Sequence, residues 1–129
     1  MRFELPSNAG SFEIPDDWWR FAEMERFRPS PGGYYPYQVR RENDVDLVPI
    51  AVVAPPLRNP GVAMLKKFKM MPVLFAFQSP ECALPAVEVY PATSGIYRFT
   101  VHNGFHRFYG SVAAGYNYLP ILVCEPLDF

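Results

Sequence analysis

The residues best suited to chemistry lie in one short run, Asn103-Gly104-Phe105-His106-Arg107. The apolar residues that begin in this run recur at the spacing of one helix face, as Phe105, Phe108, Tyr109 and Val112. The run therefore predicts a helix start. Asn103 suits the N-cap, because its side-chain oxygen can accept an early helical N–H.

A helix that begins at this run would favour an anion. The N–H groups of Gly104, Phe105 and His106 would have no intrahelical partner and would lie at the positive end of the helix dipole. Gly104 would let a ligand approach the backbone closely, while His106 and Arg107 add side-chain donors. This composition is typical of a phosphate site. Two alternatives stay open, since Arg107 could pair with a surface carboxylate and His106 could bond backbone and only brace the turn.

Two predicted strands flank this helix. The segment before it contains β-forming residues in partly alternating order, namely Ile96, Tyr97, Phe99 and Val101. Gly115 is typical of the left-handed residue that ends a helix. Leu119 to Val123 then forms an apolar run in which Pro120 stands near the start, where a strand tolerates proline. Tyr97 to Val123 thus predicts a strand, a turn, a helix and a second strand.

The rest of the chain is assigned from the same periodicities and from its prolines and glycines. The predicted elements are a helix over about 16–27, a Pro/Gly loop over 28–37, a strand over 46–54, a short helix from about Asn59 to Met71, and strands over 72–77 and 84–90. The loop's tyrosines either pack on the domain or line a ligand pocket. Lys66, Lys67 and Lys69 predict a solvated helix face, with a phosphate-contacting role as the alternative.

The pattern from Asn103 to Phe108, with Leu119-Pro120 downstream, resembles the ParB/sulfiredoxin-like fold. In that family a turn of the type Gly-x-His-Arg or Gly-Glu-Arg-Arg stands before a helix. Leu84 to Val89 resembles the family's preceding strand, so the resemblance covers about Asp46 to Val123. It implies an α+β fold with a small mixed sheet and packed helices. It also implies a nucleotide phosphate at Arg107. The cofactor itself stays unknown, with a nucleotide and Mg²⁺ as the candidates.

Two departures from the family pattern bear on the activity. Phe105 occupies the position of sulfiredoxin's reactive cysteine, which argues against sulfinic-phosphoryl chemistry. The acidic residue of ParB's turn is absent from the same position, which argues against a CTP-hydrolysing clamp. We expect a stand-alone domain without a following helix-turn-helix, made of a core over 46–129 and an aromatic-rich N-terminal extension over 1–45.

Composition limits the class of protein. The 129 residues are 50% hydrophobic, which favours one globular domain. A formal net charge of −1 argues against a dedicated duplex-DNA binder. We find neither a signal peptide nor a segment of transmembrane length, so we expect a cytoplasmic protein that does not enter a membrane. Cys82 and Cys124 stand alone and His102 and His106 lack a third ligand, so we expect no metal site and free thiols.

The sequence favours a phosphate- or nucleotide-binding module that uses Asn103 to Arg107. One alternative is a phosphotransferase or nuclease, for which Glu88 is the candidate acid or base. Another is a protein–protein interaction or structural role with a relict site. The extension holds both tryptophans and many other aromatic rings, so we expect a homodimer that associates through it. The competing prediction is that the extension folds back on its own domain.

Overall fold

The computed structural model describes residues 1–38, 44–58, 60–79, 81 and 83–125. The strands in these ranges are β1 (Arg2–Glu4), β2 (Ser11–Glu13), β3 (Asp46–Pro49), β4 (Val53–Ala54), β5 (Val87–Pro91), β6 (Phe99–Asn103) and β7 (Tyr118–Val123). The α-helices are α1 (Asp16–Phe21), α2 (Lys67–Gln78) and α3 (Phe105–Ala114), and 3₁₀ turns lie at Pro6–Asn8, Met24–Arg26 and Ile50–Val52. Within the described residues, no helix has the length and apolarity needed to cross a membrane.

Five strands form a mixed sheet in the order β3-β7-β5-β6-β4. The pairs β3–β7 and β5–β6 are antiparallel, whereas β5–β7 and β4–β6 are parallel. The edge strands β3 and β4 are consecutive in the chain, and only Ile50–Val52 separates them. Those few residues span at most about 14 Å, whereas five flat strands would place the edges about 19 Å apart. The sheet is therefore curled, and the predicted α+β class with packed helices is confirmed.

The last helix and strand match the prediction closely. Helix α3 ends at Gly115, which has φ +92°. The N–H of Gly115 donates to the carbonyl of Val112, and that of Tyr116 donates to Ser111, each at 3.1 Å. This bond pair is the Schellman motif, so the predicted left-handed terminator is confirmed.

Pro120 lies inside β7 and not at its first residue. It pairs with Leu47 of β3, whereas the ladder to β5 begins only at Ile121. The missing N–H of proline is tolerated because the side towards β5 is not yet paired at this position.

The predicted break between a helix and a strand near Pro72 is wrong. One helix, α2, runs through this proline from Lys67 to Gln78. Proline removes one helical hydrogen bond and typically costs about 3 kcal/mol. The buried side chains of α2 offset this cost by packing in the core: Met70, Met71, Val73, Leu74, Ala76 and Phe77. Tertiary packing therefore overrides the local signal.

Two further predicted elements are divided in the structure. The single strand expected over 46–54 is two short strands at opposite sheet edges, because the turn at Ile50–Val52 redirects the chain. The helix expected over about 16–27 stops at Phe21, and Glu23 follows with φ +57°, in the left-handed region that breaks a helix. The strand before α3 starts at Phe99, slightly later than expected.

The N-terminal part folds back onto the rest of the chain. Phe12, from the β1–β2 hairpin, lies 4.9 Å from Tyr109 of α3, measured between ring centroids. Trp19 is buried as well, and the Tyr35 hydroxyl donates to the carbonyl of Pro85 at 2.7 Å. These rings belong to the same cluster of buried residues as α2, α3 and the sheet. One hydrophobic core therefore joins the two parts of the sequence.

Candidate functional site

The turn between β6 and α3 depends on Gly104. This residue occupies the cap position of α3 with φ +126°, where other residues are strained. A Cβ atom there would lie 3.0 Å from Cγ1 of Val87 and 3.2 Å from Nη2 of Arg107. Because Gly104 has no side chain, Val87 and the Arg107 guanidinium can lie close to its backbone.

The prediction that Asn103 caps the helix is wrong. Asn103 is the last residue of β6, and the cap position of α3 is held by Gly104, which has no side chain to bond the helix. The Asn103 amide instead donates to the Glu88 carboxylate at 2.7 Å across the β5–β6 pair. The reason is backbone position, since the helix begins one residue later than a cap at Asn103 requires.

Arg107 is anchored by backbone. Its Nη1 donates to the carbonyls of Pro85 and Ala86 at 2.8 and 2.9 Å. A guanidinium has five N–H groups, so these bonds leave donors on Nη2 and Nε for another partner. Among the residues that the structure describes, Arg107 forms no ion pair with a carboxylate, which was the alternative role for this side chain.

His106 is buried and braces a distant segment. Its Nε2 accepts the backbone N–H of Lys66, the residue before α2, at 2.9 Å. Burial, followed by the nearby charges of Arg58, Lys69 and Lys66, lowers the pKa of His106 to about 4. The ring is therefore neutral at physiological pH, and the tautomer that accepts at Nε2 carries its proton on Nδ1.

A pocket of about 540 Å³ opens at the N-terminal end of α3, and we call it the cationic pocket. Its charged side chains are Arg58, Lys69 and Arg107. The other lining residues are Pro56, Leu57, Val73, Leu84, Pro85, Val101, His102, Asn103, Gly104, Phe105 and His106. All five residues of the predicted site therefore line one pocket.

Arg58 enters the cationic pocket from the loop that follows β4. Its guanidinium carbon lies 3.8 Å from the centroid of the Phe105 ring, the geometry of a cation–π contact. The Tyr109 hydroxyl donates to the carbonyl of Pro56 at 2.7 Å and so ties this loop to α3. The charge on Arg58 is thereby held over the first turn of the helix.

The electrostatics of this pocket are one-sided. Among the described residues that line it there is no carboxylate. Within the same described part of the chain, Arg58, Lys69 and Arg107 take part in no ion pair. Three cations and the positive end of a helix therefore face one cavity that has no acidic residue in the described part of its lining, which favours an anion.

A second pocket, of about 610 Å³, adjoins the first through Asn103 and Arg107. Its lining adds two carboxylates, those of Asp44 and Glu88. Cys124 carries a free thiol whose Sγ lies 4.0 Å from the Glu88 carboxylate. Burial, together with the charge of Glu88, raises the pKa of this thiol. Cys82, the other predicted free thiol, lies outside the described residues.

The fold and the pocket together define an α+β domain with a positively charged cavity at a helix N-terminus. Among solved structures it is similar to the C-terminally truncated chromosome-partitioning protein ParB from Caulobacter crescentus, complexed with CTP-gamma-S. The match has a TM-score of 0.49 and 20% identity, and it covers 65% of this chain and 46% of that chain. This chain thus spans less than half the length of that structure. ParB is one of the two proteins that the sequence pattern itself resembles. No protein-family model and no curated protein matches the chain.

Proposed function

We propose that the chain is a phosphate- or nucleotide-binding module whose ligand lies in the cationic pocket. The observation that carries the proposal is the convergence of Arg58, Lys69 and Arg107 on the first turn of α3. Charged donors and backbone N–H groups at a helix N-terminus are the usual partners of phosphate oxygens.

The roles of the pocket residues follow from their contacts. Arg58 and Lys69 would supply charge, and Arg107 would add the N–H groups that its bonds to backbone leave available. His106 would hold the turn in place through its bond to Lys66. Since no carboxylate lies among the described lining residues, an accompanying Mg²⁺ would be held mainly by phosphate oxygens.

Substitution of Arg58 tests the proposal more sharply than substitution of Arg107, because Arg107 also bonds two carbonyls of the fold. We expect Arg58→Gln to weaken the binding of ATP or inorganic phosphate by about 1.5–3 kcal/mol, the range for a hydrogen bond to a charged group. Titration calorimetry with and without Mg²⁺ measures this change.

Arg98→Gln is the matched control. Arg98 also lies over a phenylalanine ring, that of Phe99 at 5.3 Å, but it does not line the cationic pocket. Equal losses in the two variants, or no loss at Arg58, would contradict the proposed site.

A phosphohydrolase or phosphotransferase is the second candidate, and the adjoining pocket favours it. Glu88 lines that pocket together with Arg107, and the Asn103 amide fixes one of its carboxylate oxygens. The carboxylate would act as a general base on water or on an acceptor hydroxyl. If so, phosphate release from ATP should fall at least about a hundredfold in Glu88→Gln while ATP affinity is kept. A chain that binds ATP and releases no phosphate is not a phosphohydrolase.

The hypothesis of a relict site would fit a turn that is filled by side chains. A pocket of about 540 Å³ at the turn argues against it.

Self-association stays a proposal. In the N-terminal part of the chain it rests on Phe21, which is 71% exposed.

A further inference from the structure

A pair of contacting, tilted aromatic rings adjoins the cationic pocket on the sheet. Tyr90 of β5 and His102 of β6 have ring centroids 4.5 Å apart, with 38° between the ring planes. His102 also lines the cationic pocket, so the pair extends outward from the charged residues. None of the roles argued above uses these two rings.

The pair lies on the face of the sheet that is turned away from the core. Side chains alternate between faces along a strand, and Val89 lies in the core, so Tyr90 points to the other face. The β5–β6 register shifts beside His102, and it is the contact with the Tyr90 ring that places His102 on the same face. Tyr90 is half-buried and His102 is exposed. Tyr90 covers one side of the exposed His102 ring, so the other side is available to a ligand.

The size of the cavity indicates a ligand larger than an inorganic anion. A pocket of about 540 Å³ is in the range that takes a drug-sized molecule. Its cations account for the phosphate end of such a molecule, and the exposed His102 ring at its border, backed by Tyr90, suits a flat heterocycle. Base stacking on aromatic side chains tolerates every base, because each has a π-face.

We propose that the ligand is a nucleoside polyphosphate whose base stacks on the Tyr90–His102 pair while its phosphates lie among Arg58, Lys69 and Arg107. This inference rests on the proposed function, because it needs the phosphates in the cationic pocket. It assigns a base-binding role to two residues outside the Asn103 to Arg107 run.

The test compares ligands with and without a base on the full chain. ATP, GTP, CTP, UTP and tripolyphosphate are titrated by calorimetry into the wild type, His102→Ala and Tyr90→Leu. We expect at least one nucleotide to bind the wild type about tenfold more tightly than tripolyphosphate, as stacking of one base would give. Both variants should remove that advantage and leave tripolyphosphate affinity unchanged.

Tyr118→Leu is the control, since Tyr118 is an exposed tyrosine of β7 that lines neither pocket. Thermal melts of all variants show that each is folded. Equal binding of nucleotides and tripolyphosphate by the wild type overturns the base site and leaves the phosphate site standing. Parallel loss of all ligands in the ring variants, or no loss, also overturns it. If the wild type binds none of the five ligands, the proposed function fails and this inference fails with it.

Discussion

At the scale of single residues, His106 couples the start of α3 to the start of α2. Its Nε2 accepts the Lys66 N–H, and only the neutral ring can do so. Protonation would break this bond and would place a further positive charge beside Arg58, Lys66 and Lys69. The histidine therefore stabilises the fold in its uncharged form.

The lowered pKa of His106 predicts a dependence of stability on pH. Above pH 6.5 the ring is neutral in both states, and its contribution to folding is fully present. Between pH 6.5 and about 4 the unfolded chain binds a proton that the folded chain does not, so the free energy of unfolding falls as the pH falls. We expect a loss on the order of 3 kcal/mol, because the pKa falls by about 2.5 units and each pKa unit corresponds to about 1.4 kcal/mol. Urea unfolding at a series of pH values measures it.

His106→Gln identifies the responsible group, because a glutamine amide oxygen can accept the same N–H but does not titrate. The slope between pH 5 and 6.5, where most carboxylates are already ionised, should disappear in this variant. His102→Gln, which changes the exposed second histidine, should keep the slope. A slope that survives in His106→Gln would show that another group causes it.

At the scale of elements, α2 and α3 pack closely at Gly110. A Cβ atom on this glycine would lie 3.0 Å from Cγ1 of Val73, and 3.5 Å from side-chain atoms of Met70 and Phe77. Alanine in place of a helical glycine normally stabilises a helix by about 1 kcal/mol. Here the stiff, branched side chain of Val73 cannot move aside easily, because a β-branched residue has one strongly preferred rotamer in a helix.

We therefore expect Gly110→Ala to lower the free energy of unfolding by about 1 kcal/mol or more, as overpacking does. The same substitution should stabilise a Val73→Ala background, in which the contacting methyl groups are gone. Chemical denaturation of the wild type, both single variants and the double variant gives the coupling energy. Additive effects would mean that the two helices separate without cost at this contact.

The elements that sequence predicts well are those whose local signals agree with their packing. Helix α3 has an apolar stripe and a terminal glycine that both indicate the same structure, and β7 has a continuous apolar run. The part of α2 from Pro72 onward is predicted as a strand because Pro72 is a strong local break, whereas the buried side chains of the helix act only in the folded chain. The break between β3 and β4 was missed because sheet curvature has no short-range signature.

The residues of the candidate site are likewise predictable from sequence only where a local signal indicates them. Gly104, His106 and Arg107 are neighbours in sequence, so residue type and spacing were enough to single them out. Arg58 and Lys69 reach the pocket from a loop and from α2, and only tertiary structure brings them there. For Lys69, the phosphate-contacting alternative was stated but no spacing favoured it over a solvated face. Arg58 had no local signal of any kind.

At the scale of the whole molecule, residues 1–38 cover one side of the domain. Phe12 contacts Tyr109. The ring centroid of Phe27 lies 6.2 Å from that of Phe77 and 6.0 Å from that of Tyr116. The rings that motivated self-association are thus largely buried within the chain, as the fold-back prediction stated. Their burial accounts for the aromatic content of the extension without a partner.

A smaller apolar surface remains on the outside of α1 and α2. The exposed fractions are 71% for Phe21, 71% for Phe68 and 44% for Phe75. Phe21 and Phe75 contact each other edge to face at 5.9 Å, and Phe68 lies two turns from Phe75 on the same helix face. Aromatic residues are enriched at interfaces, and a symmetric dimer is the commonest closed assembly. Self-association therefore remains our prediction, through this surface.

Sedimentation or light scattering at micromolar concentration should give twice the 14.8 kDa mass of one chain. Phe21→Ser combined with Phe75→Ser should shift the mass towards the monomer, because both rings would leave the interface. Ile96→Ser, which changes an 83% exposed side chain in the turn between β5 and β6, should leave the assembly unchanged. A wild type that stays at the mass of one chain would contradict the dimer, and the fold-back packing alone would then explain the aromatic N-terminal part.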